Sequence, residues 1–419
     1  MSDRVVNRKG LRCRICTGCG LCPGIVPVGA GNGEDGIGGL YILDRDALLG
    51  EKRPFPEGGG RLAVVDLGTT TIAMLLYDRD GSVTDRYVAV NPQTRYGADV
   101  LSRIRAAQNV ECAKEMRRQV DDVLAHGFRR FQKHLAEGER LQAVLAANTV
   151  MTYLLMGWDA NELGCAPFNA SNLGPGEFFL EDTQVFVMPG MSAFVGGDIV
   201  AGVYACGMSE QEELTLLVDL GTNGELVLGN ARKRIACATA AGPAFEGGVN
   251  KGIWGADMVS FLASLRREGI LDETGLLEPD FFEKGVRVGN VLVTQEAVRS
   301  IQLAKGALAA GIRILLKRYD ISAEQVDRVV LAGGFGYYLN PEDAAEIGLL
   351  PQAMTKKAIT GGNTALSGAL LAGRALLAGE KGEMTQKLQG ITEGTEVINL
   401  ALEPDFQEHY LDSMELNKN

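Results

Sequence analysis

No stretch of this 419-residue chain approaches the ~18 consecutive apolar residues that a membrane-crossing helix needs, so no membrane contact is expected. Its first residues, Met1-Ser2-Asp3-Arg4, lack the apolar core of a secretion signal, which points to the cytoplasm. Positive charge is in deficit. Lys and Arg number 41 against 53 Asp and Glu, for a formal net charge of −12 and a pI near 5.0. That balance argues against nucleic acid as a partner. Histidine is scarce: His126, His134 and His409 lie in polar or helical surroundings and read as solvated surface groups. No Ser-His-Asp pattern and no His-rich metal motif is visible. The hydrophobic share of 46% is ordinary, and the length suits two or three domains with ample core.

Cysteine is unevenly spent. Four of the eight fall within ten residues, as Cys13, Cys16, Cys19 and Cys22, with three identical gaps of two. In a reducing compartment such a cluster is a metal site rather than a disulfide framework. Structural zinc usually takes two Cys pairs separated by a longer loop. Consecutive gaps of two with Pro23 after the last cysteine look more like a bacterial ferredoxin run, although there the last gap is three. The expectation is an iron–sulfur cluster of the 4Fe-4S type, with zinc as the alternative. Whether Cys22 ligates the same cluster as the first three stays open, and the chain has no second set of four cysteines. Cys112, Cys165, Cys206 and Cys237 are scattered among apolar or small neighbours and read as buried small hydrophobes.

Two near-identical loops stand 153 positions apart, Val64-Val65-Asp66-Leu67-Gly68-Thr69-Thr70 and Leu217-Val218-Asp219-Leu220-Gly221-Thr222-Asn223. Each reads as a buried strand running into a tight turn. The glycine lets backbone N–H groups approach a phosphate, and Thr69, Thr70, Thr71, Thr222 and Asn223 add polar donors. A strand-end aspartate can hold phosphate-bound Mg2+ through water. One such loop is weak evidence, and the alternative for the two, a pair of ligand-free hairpin turns, leaves the run Thr69-Thr70-Thr71 unexplained. The duplicate, followed by Val330-Leu331-Ala332-Gly333-Gly334-Phe335-Gly336, points to a two-lobed ATP site with Asp66 and Asp219 facing metal and attacking water. Gly333 and Gly334 would let adenosine lie against backbone. The Ala241–Gly248 loop with Glu246 borders the nucleotide or is a tight connection, and Gly196-Gly197-Asp198 reads first as a helix start.

Residues 1–24 form a cysteine segment, and 25–60 a linker; positions 23–60 hold eleven glycines and four prolines. A first lobe over 61–212, a second over 213–379 and a closing segment over 380–419 follow. Expected strands are 62–67, paired with 72–77 and 83–90, then 141–147, 185–188, 214–220, 224–229, 234–238, 327–332 and 397–402. Expected helices are 98–105, 112–135, 197–206, 364–378, 406–414 and a long one capped by Thr294 and ending near Tyr319.

The loop pair with the Gly-Gly turn resembles the actin, sugar-kinase and heat-shock chaperone ATPase superfamily. Further stretches are more specific: Asn91-Pro92-Gln93, Tyr96-Gly97-Ala98-Asp99-Val100, Ala147-Asn148-Thr149-Val150-Met151, Ser192–Asp198, Gly221–Glu225 and Ala241–Gly247. From about residue 62 to the end, the chain resembles the ATP-dependent reductive activators of corrinoid proteins. The resemblance implies an α/β, two-lobed, actin-like (ribonuclease H-like) ATPase fold with a short N-terminal cluster segment. It implies reduction of a cobalt(II) corrinoid protein of a methyltransferase system to cobalt(I). The electron would come from a low-potential donor through the iron–sulfur cluster, with ATP and Mg2+ driving the step. Familiar bacterial members carry a plant-type ferredoxin domain where this chain has its short run, which leaves cluster type and donor open. Oligomeric state is open too, a homodimer included. Two rivals remain: an ATP-dependent electron injector for a radical dehydratase, and a non-redox ATP-binding scaffold with structural zinc.

Overall fold

The computed structural model describes residues 55–56, 60–221, 223–239, 255–288 and 291–416. The first half alternates two strand types. A hairpin series, β1 (Leu62–Leu67), β2 (Thr71–Tyr77) and β3 (Val83–Val90), comes first. Helices α1 (Val100–Ala107) and α2 (Val110–Gln132) lead to β4 (Gln142–Ala147) and α3 (Thr149–Met156). The hairpin of β5 (Gly176–Leu180) and β6 (Thr183–Val187) then delivers the chain to α4 (Gly197–Ala205). The sheet order is β3-β2-β1-β4-β6-β5, with β4 parallel to both β1 and β6. Here β3 pairs with β2 alone rather than with β1, whose second edge is taken by β4.

The second half repeats the plan. Its hairpin series is β7 (Thr215–Leu220), β8 (Gly224–Gly229) and β9 (Arg234–Thr239). There follow α5 (Gly255–Arg267), α6 (Pro279–Phe282), the small pair β10 (Val286–Val288) and β11 (Val291–Val293), and the long α7 (Gln295–Tyr319). Then come β12 (Arg328–Ala332), α8 (Gly333–Gly336), α9 (Pro341–Glu346), β13 (Ala358–Gly362) and α10 (Thr364–Leu377). The chain ends with α11 (Lys381–Glu393), β14 (Thr395–Val397) and α12 (Phe406–Met414). The order β13-β12-β7-β8-β9-β14 mirrors the first sheet, with β12 parallel to β7 in the place that β4 holds beside β1. The strand expected at 397–402 ends instead at Val397, and Leu400–Leu402 winds as a single 3-10 turn capped by Asn399.

Three apolar layers hold the lobes. Along β1, Ala63, Val65 and Leu67 face the helices of the first lobe, while Leu62 and Val64 face the second lobe. Along β7, Leu216, Val218 and Leu220 face outward onto α5 and α7, while Leu217 faces the first lobe. That is the period-two alternation of a strand buried on both faces. The middle layer is filled by α4 and α10. The helices touch backbone to backbone: a Cβ on Gly368 would stand 2.1 Å from the carbonyl oxygen of Ala201.

Cys206 and Cys237 are buried as expected, but Cys112 is only partly buried and Cys165 is exposed. Cys112 lies in the first turn of α2, and Cys165 follows a 3-10 turn in an irregular connection. His126 and His134 are exposed. No helix among the described residues is long and apolar enough to cross a membrane.

Candidate ATP site between the lobes

Strand parity decides where the two aspartates point. Asp66 shares a face with Leu62 and Val64, and Asp219 with Leu217, so both carboxylates face the cleft between the sheets. Glu225, the direct cross-strand partner of Asp219 on β8, shares that face. Asp198 enters from α4. It is not the helix cap, which is Gly196; it sits in the first turn, where its carboxylate accepts the Ile199 N–H at 2.9 Å.

These acids disturb one another. Burial raises the Asp66 pKa from 3.8 to about 6, against a bond from Asn363 that lowers it. Burial and the charge of Asp66 raise Asp219 to about 7. Burial, then Asp219 and Asp66, raise Asp198 to about 7. Burial, Asp198 and Asp219 push Glu225 well up, while the Asn223 side chain holds it down. Four carboxylates have thus lost water with no cationic side chain among the described residues to offset their charge, the electrostatic situation that a bound divalent ion relieves.

The first loop is built from behind. Gly68 N–H donates to the Thr71 carbonyl at 2.9 Å, and a Cβ on Gly68 would stand 2.8 Å from that oxygen. Asn91 Nδ2 donates to the Gly68 carbonyl at 2.9 Å, and Asn91 N–H to that of Thr70 at 2.8 Å. Asn148 caps α3 through Met151 N–H and donates to Thr69 Oγ1 at 3.0 Å. The guanidinium of Arg103, fully buried, donates to the Thr69 carbonyl at 2.6 Å and the Gly97 carbonyl at 3.1 Å. Thr70 and Thr71 remain partly exposed.

In the second loop Gly221 N–H donates to the Asn223 carbonyl at 3.0 Å. Thr222 lies outside the described residues, as do Cys13, Cys16, Cys19, Cys22 and the Ala241–Gly248 loop with Glu246. Gly333 and Gly334 open α8, a short helix where an open turn was expected. Gly333 has φ +78°, and a Cβ there would stand 2.5 Å from Asp219 Oδ1. Only glycine satisfies both conditions.

Arg103, Asn363, Thr364 and Glu225 were not among the sequence-derived candidates. Asn363 caps α10 through Leu366 N–H at 2.8 Å and donates to Asp66 Oδ2 at 2.7 Å. Thr364 Oγ1 reaches Asp219 Oδ2 at 3.4 Å. Asn148-Thr149 and Asn363-Thr364 each join a strand to a helix, cap it with the Asn oxygen and turn the Asn amide to the site; the repeated dipeptide is visible in the sequence, its partners are not.

Residues 62–211 match the family model described as the RACo middle region, and 213–251 with 249–419 that of the C-terminal domain of RACo, the ASKHA domain. The chain is 28% identical over 415 residues to corrinoid activation enzyme RamQ of Eubacterium limosum, covering 83% of this chain and 68% of that one. It is 23% identical over 374 residues to the [Co(II) methylated amine-specific corrinoid protein] reductase of Methanosarcina barkeri, covering 72% and 68%. A solved "Reductive activator for corrinoid,iron-sulfur protein" superposes with a TM-score of 0.74 at 29% identity, over 86% of this chain and 67% of that one. The chain belongs to the RACo family, corrinoid activation enzymes with an ASKHA, actin-like ATPase domain.

Proposed function

We propose that this protein uses ATP hydrolysis to reduce a cobalt(II) corrinoid protein to cobalt(I), with the electron entering through the N-terminal cysteine segment. The observation that carries the ATP part is the inward-facing set of Asp66, Asp198, Asp219 and Glu225, each raised by burial and all but Asp66 raised further by neighbouring carboxylates. Mg2+ bound there would neutralise phosphate charge, and an iron–sulfur cluster on the four thiolates would hold one electron at low potential. The donor sets fit those groups: uncompensated carboxylates for hydrated Mg2+, and Cys13, Cys16, Cys19 and Cys22 at two-residue spacing for a 4Fe-4S cluster.

The chain's own contribution is positioning. The amide groups around Gly68 and Gly221, with Thr69, Thr70, Thr71, Thr222 and Asn223, offer donors to phosphate from both lobes. Asp66 and Asp219 orient the cation's water shell and the attacking water. Gly333 and Gly334, with no Cβ to interpose, would present bare backbone to the nucleoside. Closure of the lobes on nucleotide favours one conformation over another by the difference in affinity for the two, and only that difference can drive an uphill reduction. The substrate is a corrinoid protein of a methyl-transfer system, and the electron comes from a low-potential donor protein.

The test is the visible spectrum of a corrinoid partner, kept anaerobic with a low-potential reductant, with and without ATP. The paired change Cys16→Ser and Cys19→Ser should still bind ATP yet give no cobalt(I). Full ATP-dependent reduction by that variant, or by a chain beginning at Gly60, overturns the electron path.

A further inference from the structure

Asn363 and Thr364 are adjacent in sequence, yet they hold carboxylates from opposite lobes. Asn363 donates to Asp66 on β1, and Thr364 to Asp219 on β7. Both stand at the amino end of α10, a helix of 14 residues. The body of α10 is clamped. Gly368 abuts the α4 backbone, and a Cβ on Gly373 would stand 2.3 Å from the Leu62 side chain on β1. Interlocked packing of this density makes a helix shift as a unit rather than bend.

The far end of α10 meets the root of the N-terminal segment. Arg374, roughly 16 Å along the axis from Asn363 at 1.5 Å per residue, sits over the Phe55 ring with its guanidinium carbon 5.5 Å from the centroid. Phe55 is 7% exposed, donates its N–H to the Arg79 carbonyl at 2.8 Å and leans on Tyr77 at 6.4 Å between centroids. The four clustered cysteines precede Phe55 in the sequence.

We infer that Asn363 and Thr364 are positioning residues that couple occupancy of the site between the lobes to the anchorage of the N-terminal segment at Phe55, with α10 as the rod between them. The inference rests on the ATP reading of that site. A cation, or the water shell around it, that engages Asp66 and Asp219 competes for the oxygens to which Asn363 and Thr364 now donate. Empty and occupied states therefore differ in their contacts at one end of α10, which is the condition for a ligand to shift it. Because the two bonds come from adjacent residues on one helix, a change at either lobe is felt by the same rod.

The experiment follows amide hydrogen exchange in the full-length protein with and without a non-hydrolysable ATP analogue and Mg2+, with calorimetry to establish binding. Exchange at Phe55 should change severalfold on binding in the unaltered protein. Arg374→Met keeps the helix stem and removes the cation. It should bind the analogue within about twofold of the unaltered protein while the change at Phe55 disappears. Phe55→Leu, a second variant at the other side of the contact, should hydrolyse ATP within about twofold of normal and lose about tenfold in ATP-dependent corrinoid reduction. An unaltered protein that binds the analogue with no change at Phe55 overturns the coupling. So does a change that persists in Arg374→Met, or full reduction by Phe55→Leu. Failure of the unaltered protein to bind nucleotide is a separate result, read by calorimetry alone, and it brings down the ATP reading together with what rests on it.

Discussion

A Cβ added to Gly68 would press within 2.8 Å of the Thr71 carbonyl oxygen, whereas at the matching Gly221 its nearest neighbour would be the Asn223 carbonyl oxygen at 4.0 Å. The first loop is backed by Asn91, Asn148 and buried Arg103, which hold its carbonyls and the Thr69 hydroxyl. Around the second loop stand acids instead: Glu225 across the strand pair and Asp198 on α4. The same short pattern thus stands in two different surroundings. The first lobe supplies a rigid donor cradle with two of the four acids, Asp66 and Asp198, and the second supplies the other two, Asp219 and Glu225, on a loop with more open space around its glycine. The comparison teaches that a duplicated motif fixes where a carboxylate stands, while the residues behind it decide whether the loop is stiff or electrostatically loaded.

The largest expected effect lies where the loops agree. Asp219→Ala and Asp66→Ala should each lower ATP hydrolysis on the order of 10²-fold or more, because each removes a positioned charge from the reaction centre. Steady-state hydrolysis by the purified variants measures it. Wild-type rates in both would remove the site assignment. A loss confined to Asp219→Ala would show that the second lobe alone carries the chemistry.

Much of this arrangement was legible beforehand because it is local. An apolar run ending in Asp-x-Gly-Thr announces its own strand and turn, and the second copy announces the second lobe. Strand parity alone puts both aspartates on the cleft side. What stayed hidden is what depends on contacts distant in sequence. Asn363 meets Asp66 across 297 positions, and nothing near Asn363 advertises an aspartate. Arg103 sits on an otherwise ordinary amphipathic helix, and only the fold shows that its guanidinium is buried beneath Thr69. The strand expected at 397–402 failed for a local reason. Asn399 bonds the Ala401 N–H and starts a turn, an alternative that short polar side chains offer the backbone.

A middle-sized effect would separate stiffness from charge. Arg103→Met should cost about 2–3 kcal/mol of stability, since it strips donors from the buried Thr69 carbonyl and the part-buried Gly97 carbonyl. It should also raise the KM for ATP by loosening the cradle. Asn223→Ala removes the side-chain bond that favours ionised Glu225 and touches no such brace, so its effect should fall on kcat with little change in thermal midpoint. Equal losses of stability in both variants would break the distinction between the lobes.

The smallest effect reads the charge directly, in the ligand-free protein between pH 5 and 7. Asp66, Asp219 and Asp198 have folded values of about 6, about 7 and about 7, above the ordinary 3.8, so the folded state binds more protons than the unfolded chain in this interval. A raised folded value contributes stability that is fully present below the unfolded pKa and is lost as pH rises through the folded one. The thermal midpoint should therefore fall from pH 5 to pH 7. The loss should be on the order of 1–2 kcal/mol once the solvent screening of these partly exposed groups is allowed for. Acids held low by arginine, such as Asp78 and Asp85, titrate below this range and do not interfere. Lys305, buried on α7 and pushed down to about 7 from 10.5, acts with the opposite sign but only above that pH, where stability climbs as the unfolded chain keeps the proton that the folded one has lost. Asp219→Asn should flatten the fall below pH 7 and leave the rise above it. Saturating Mg2+ and nucleotide should flatten the same limb, because the bound ion takes over the role of the protons. A midpoint that rises steadily from pH 5 to 7 in the ligand-free protein would mean that the acids between the lobes are not loaded in this way.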